Sequence, residues 1–116
     1  MTKISPFIEN IEDLTLSNKY FRNVIYTSSN LQLVLMTLLP GQEIGKETHR
    51  NVDQFFRIES GKGQIIIGRD SYIIGEGAAI VVPKNTSHNI INIGNKPLKL
   101  YTIYSPPQHK NGIIVK

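Results

Sequence analysis

Apolar and polar positions along this chain come in short runs cut by turn residues. From Tyr20 to Thr27 the residues are β-prone, and Ser28, Ser29 and Asn30 mark a turn. Leu31 to Leu39 is a continuous apolar strand stopped by Pro40 and Gly41. Further runs follow at Gln54–Ile58, Gln64–Ile67, Tyr72–Ile74, Ala78–Val82, His88–Ile93 and Leu98–Tyr104, separated by Gly-, Asn- or Pro-containing stretches. Many short strands bounded this way predict an all-β sandwich or barrel. Residues 1–19 carry loosely spaced Ile8, Ile11, Leu14 and Leu16 among acidic residues, which reads as one helical turn or an extended arm lying across the barrel. The organisation is then an arm (1–19), a barrel (20–107) and a tail (108–116), with no second domain.

The Leu31–Leu39 run is apolar on both faces, so both must be covered. In a small barrel one face meets the core. The other calls for a second subunit or for the N-terminal arm. This run and the apolar tail Ile113–Val115 are the grounds for expecting a homodimer.

With 116 residues the chain can bury a core without staples. It has no cysteine, which removes disulfides, thiolate metal sites and thiol nucleophiles. The net charge is +4, but Lys and Arg are scattered singly, so a nucleic-acid partner is not expected. The positive field favours, if anything, an anionic small substrate. The start lacks the apolar core of a signal peptide, and no apolar run approaches a bilayer's thickness. A soluble, cytoplasmic protein without membrane contact is the expectation.

Four polar side chains stand out from this pattern: Glu47, His49, Gln54 and His88. Glu47 and His49 are two apart, so an extended backbone points them to one face. His88 shares parity with Ile90 and Asn92, and Gln54 with Phe56 and Ile58. Two imidazoles, a carboxylate and an amide oxygen converging from separate strands suit a divalent first-row metal. Taken singly, each has another reading, as a surface residue or a hydrogen-bonded core group. Spacing alone leaves the two readings level.

The two segments resemble the two motifs of the cupin superfamily. The first cupin motif is Gly, five residues, His-x-His, three or four residues, Glu, six residues, Gly; here Gly41 is followed after five residues by Glu47-Thr48-His49, after four by Gln54 and after six by Gly61. The second is Gly, five residues, Pro-x-Gly, two residues, His, three residues, Asn; here stand Gly77, Pro83-Lys84-Asn85, His88 and Asn92 at the same spacings. The chain is similar to small single-domain cupins. Three departures matter: Glu47 replaces the first His, Gln54 replaces Glu, and Asn85 replaces a turn glycine. The first two move the carboxylate one position upstream and keep one negative charge. Asn85 is mild, because Asn tolerates a left-handed backbone.

The resemblance implies a cupin-type double-stranded β-helix, or jelly-roll, barrel with an N-terminal arm. It implies an octahedral centre of Glu47, His49, Gln54 and His88 holding Mn, Fe, Ni, Co or Zn, with open positions for a small-molecule ligand or substrate. Parity puts Phe56, Ile58, Ile90, Leu100 and Tyr104 on the inward face, as pocket wall or plain core. The chemistry would be dioxygenase-like, or isomerase- or lyase-like. The latter needs a base, for which Glu47 and, more remotely, His109 are candidates. The alternatives are a metal-free barrel and a non-catalytic ligand-binding or structural dimer.

Overall fold

The structure is a computed structural model that describes residues 5–116. Of the arm expected over residues 1–19, positions 1–4 lie outside the described residues.

Among the described residues one helix, α1 (Ile11–Ser17), precedes nine strands: β1 (Arg22–Thr27), β2 (Gln32–Leu38), β3 (Asp53–Ser60), β4 (Lys62–Ile67), β5 (Asp70–Gly75), β6 (Ala79–Val82), β7 (His88–Asn92), β8 (Leu98–Ser105) and β9 (Ile114–Val115). They form two antiparallel sheets, one in the order β6-β3-β8-β2-β1-β9 and one in the order β5-β4-β7. This is the expected all-β architecture. The breaks fall at the turn residues read from the sequence: Gly41, Gly61, Gly68 and Gly77 all have positive φ. At Gly61 this backbone is also crowded, since a Cβ there would stand 2.8 Å from the Pro97 carbonyl oxygen.

Register layers the core. In the larger sheet Val82, Gln54, Tyr104 and Gln32 are cross-strand neighbours in one row, with Thr27 opposite Gln32 at its end. The next row holds Ile80, Phe56, Thr102, Val34 and Val24. Below it Ile58, Leu100 and Met36 align. Directly opposed residues share a face, so the first row is a polar layer on top of an apolar plug. Phe56, Ile58, Ile90 and Leu100 have no exposed surface at all. They pack against one another as core beneath the polar layer and leave no open wall.

Every residue of β2 is buried. The outward-facing half of that burial comes from the N-terminal arm. Asn10 caps α1 by accepting from Asp13 N–H. After the helix, Asn18 binds the sheet: its side-chain amide donates to Thr37 Oγ1 at 3.0 Å, and Thr37 donates to its carbonyl at 2.7 Å. Upstream, Phe7 packs on the Tyr26 ring, and Tyr26 OH donates to the Ser5 carbonyl. The arm thus gives β2 an outer cover from within the chain.

The apolar tail joins the sheet. β9 pairs with β1, Arg22 opposite Val115 and Asn23 opposite Ile114. No helix among the described residues is long and apolar enough to cross a membrane.

Candidate metal centre

Residues 41–47 make no regular strand, but they run antiparallel to β7. Gly41 N–H donates to Asn92 O and Ile44 N–H to Ile90 O, and Glu47 and His88 exchange both backbone bonds at 2.9 Å. This segment contains a bulge. Glu43 bridges Ile91 and Glu47 bridges His88, so four steps on one side match three on the other. The extra residue sits where Gly45 adopts φ +99° and donates to Asn89 Oδ1. Its consequence is large. Glu43 and Glu47 share parity, and Glu43 faces outward, accepting from Asn89. An unbroken strand would face Glu47 outward as well. The bulge re-aims it inward, opposite His88.

His49 follows in a tight loop. Asn85 N–H donates to the His49 carbonyl, and Asn51 N–H donates to Asn85 Oδ1. Asn85 itself holds φ +64°, the left-handed position where the second motif ordinarily has glycine. The His49 ring is thereby placed with centroids 5.4 Å from His88 and 5.5 Å from Tyr104.

Three of the four expected ligands converge. Ligand atoms of Glu47, His49 and His88 all lie within 4.8 Å of one another. His49 Nε2 is 2.9 Å and His88 Nε2 3.8 Å from Glu47 Oε2. His88 is 2% exposed, and its Nδ1 is 3.0 Å from the Thr86 carbonyl oxygen. Only an N–H can meet a carbonyl, so in the neutral ring the proton sits on Nδ1 and the lone pair on Nε2. That Nε2 is buried without a partner.

Gln54 enters from the other sheet, next to Tyr104 in the polar row. Its Nε2 donates to Thr102 Oγ1 at 2.9 Å, which pins the amide and leaves Oε1 buried and unpaired. A buried lone pair without a donor is costly, and a cation beside Glu47 and His49 would satisfy that of His88 Nε2.

Burial opposes ionisation of Glu47. The hydrogen bond to His49 and the charges of His49, His88 and Arg22 outweigh it, so the carboxyl lies below its ordinary value. Burial, and next the Glu47 charge, push the Tyr104 phenol well above its usual range. Tyr104 OH meets His109 Nε2 at 3.1 Å. Burial, and next Arg22, hold His109 below the usual imidazole value, so it is neutral at pH 7.

Two residues were not placed by sequence reasoning. His109, read as a remote candidate, folds back over the centre because Gln32 accepts from Gln108 N–H and His109 N–H and donates to His109 O. Arg22 was not singled out. The only signal was its parity with inward Val24.

The cupin-domain family model matches residues 34–104. The uncharacterized protein YrkC of Bacillus subtilis is 45% identical over 115 residues, covering 94% of this chain and 62% of its own length. The chain thus spans less than two thirds of that relative. An uncharacterized protein of Acanthamoeba polyphaga mimivirus is 45% identical over 112 residues, covering 93% of this chain and 70% of its own. A Bacillus halodurans protein of known crystal structure superposes with a TM-score of 0.94 at 42% identity, over 96% of this chain and 89% of that one. With a family match over most of the barrel and both motifs at its centre, this chain belongs to the cupin family.

Proposed function

We propose that this cupin binds one divalent transition-metal ion through Glu47, His49, Gln54 and His88 and acts there on a small molecule. The observation that carries the reading is His88 Nε2, a lone pair with its tautomer fixed, buried and unpartnered between Glu47 and His49. The donors are nitrogen and oxygen only, which suits Mn, Fe, Co, Ni or Zn. Four donors are fewer than a six-coordinate ion takes up, so exchangeable positions remain for substrate. When bound, such an ion supplies Lewis acidity to a carbonyl or hydroxyl oxygen.

The chain's own residues supply the rest. Glu47, kept ionised, offsets part of the ion's charge. Gln54 adds a neutral oxygen. His109, neutral and 3.1 Å from Tyr104 OH, is a proton acceptor within the field of Glu47 and His49. Tyr104, which keeps its proton, is the matching donor. An acid–base pair beside the centre favours isomerase- or lyase-like chemistry over the oxygenase class.

Elemental analysis of untagged protein, with His88→Ala beside it, tests the centre. The expected result is one ion per chain, lost in the variant while circular dichroism shows the same fold. Stoichiometric metal in the variant, or none in the parent after reconstitution, refutes the reading.

A further inference from the structure

The metal centre leaves the outer side of the larger sheet without a role. Along β3 Gln54, Phe56 and Ile58 point inward, so Asp53, Phe55 and Arg57 point outward. Cross-strand pairing sets Val81, Phe55, Ile103, Leu33 and Tyr26 in one outer row. A face that met only water would carry mostly polar side chains there. At the β1 end the arm reaches this row, where Phe7 packs on the Tyr26 ring. At the β6 end Val81 is 65% exposed, with Phe55 and Ile103 half-buried beside it.

Charges flank the row in a fixed order. On one side stands Asp53, exposed and opposite Ser105. Its Oδ1 accepts from Lys84 N–H, which holds it at the start of β3. On the other side stands Arg57, between Ala79 and Tyr101. Its Nε donates to Glu59 Oε1 at 2.9 Å; Glu59 is buried, while the Arg57 side chain is 39% exposed. That bond uses one nitrogen, and the terminal nitrogens of a guanidinium can take a second carboxylate. The outward face of β3 therefore reads acid, aromatic, base at equal steps.

Such an order is complementary to itself when turned end for end. A two-fold axis along the Val81–Phe55–Ile103 row maps that row onto itself and lays β3 antiparallel over its copy. Asp53 of each chain then meets Arg57 of the other. An axis along the strands would instead set Asp53 on Asp53 and Arg57 on Arg57. Two-fold dimers use the same patch on both subunits, so the order of charges selects the first arrangement. A second match follows from it. The acidic helix α1, with Glu12 and Asp13 in its first turn, leads into Asn18, which is bonded to Thr37 in the row of Lys99 and Ser60, beyond Arg57. Lys84 lies at the opposite end, beside Asp53. End-for-end stacking brings the acidic helix of each chain toward Lys84 of the other.

We infer that this outer face binds a second copy of the same chain, face to face about a two-fold axis along the Val81–Phe55–Ile103 row, with Asp53–Arg57 pairs on both sides of it. The apolar row drives the contact and the charges fix its orientation. Gln54 points to the opposite face of the same strand, so the inference stands apart from the metal-centre reading.

The test uses the absence of cysteine from the chain: a single introduced one reports only its own partner. Facing sheets stand about 10 Å apart, within reach of a short bismaleimide. Val81→Cys and Ile103→Cys lie on the axis row, and each should crosslink to a covalent dimer at micromolar concentration. Ile73→Cys, comparably exposed on the smaller sheet, should not. Sedimentation of the parent should show a dimer. Asp53→Asn and Arg57→Gln, each able to keep its internal hydrogen bond, should weaken it by about tenfold or more. Crosslinking at exposed Val81→Cys gives a readout even if a charge variant fails to fold. A monomeric parent overturns the inference, whatever else then covers the row. So does a dimer that crosslinks through Ile73→Cys, one that crosslinks through neither Val81→Cys nor Ile103→Cys, or one that both charge variants leave unchanged.

Discussion

Gln54 shows how much one atom decides. The family ordinarily has a carboxylate at this position, and here an amide stands in its place. The amide has one advantage in the metal-free protein: its Nε2 donates to Thr102, and no buried charge is created. Gln54→Glu should reverse this. Metal affinity should rise by about tenfold or more, since a second carboxylate joins the donor set. The metal-free protein should melt lower, because an unpaired carboxylate is then buried beside Thr102. Calorimetric metal titration and thermal unfolding in a chelator check the two halves. Asn85 is the opposite case. Its substitution for glycine has little consequence because Asn reaches φ +64° unaided and its side chain is used to hold the loop that carries His49.

Among the elements, the irregular segment beside β7 is the one that makes the site. The extra residue around Gly45 reverses the parity between Glu43 and Glu47. Deleting Gly45 should restore an unbroken register and turn Glu47 outward, with Glu43 unmoved. The expected outcome is a protein that unfolds cooperatively in urea but has lost most of its metal. Retained stoichiometric metal would show that the bulge does not aim Glu47. The arm is the second decisive element. It covers the outer side of β2 through the Asn18–Thr37 bonds, so one ground for expecting a second subunit is met within the chain itself.

At the scale of the molecule, two consequences follow. The first concerns acid. His109 sits below its ordinary value of 6.5, so on acidification the unfolded chain takes up a proton before the folded one. Its contribution is therefore complete above that value and declines as pH falls through it. Glu47 acts in the same sense at lower pH: its depressed value contributes stability above the ordinary carboxylate range that is lost as pH falls through the folded value. Metal-free protein should have a lower urea midpoint at pH 5.5 than at pH 7.5, and His109→Gln should shrink that difference. An equal loss in the variant would assign the acid limb elsewhere. The second consequence concerns association. Val81, Phe55 and Ile103 adjoin on the outer face of β6, β3 and β8, and Val81 is 65% exposed. Phe55 and Ile103 are half-buried beside it. We expect a homodimer that sedimentation detects at micromolar concentration and that Val81→Lys converts to a monomer.

The sequence by itself determined what is local. Strands and turns were legible because apolar runs and Gly, Pro and Asn breaks act over a few residues. Glu47, His49, Gln54 and His88 were legible because motif spacing is linear. The inward parity of Phe56, Ile58, Ile90 and Leu100 followed from alternation alone, and of the two readings it allowed, pocket wall or plain core, they are core. What only the tertiary structure decided depends on register between distant strands. The arm was chosen as the cover of β2. Gln32 draws in His109, 77 residues away, and makes it a neighbour of Tyr104. Among the described residues Arg22 Nε is left buried without a hydrogen-bond partner, which is a fact about every other strand. Pairing across the sheets is set by the packing of the whole core. No window along the chain contains it.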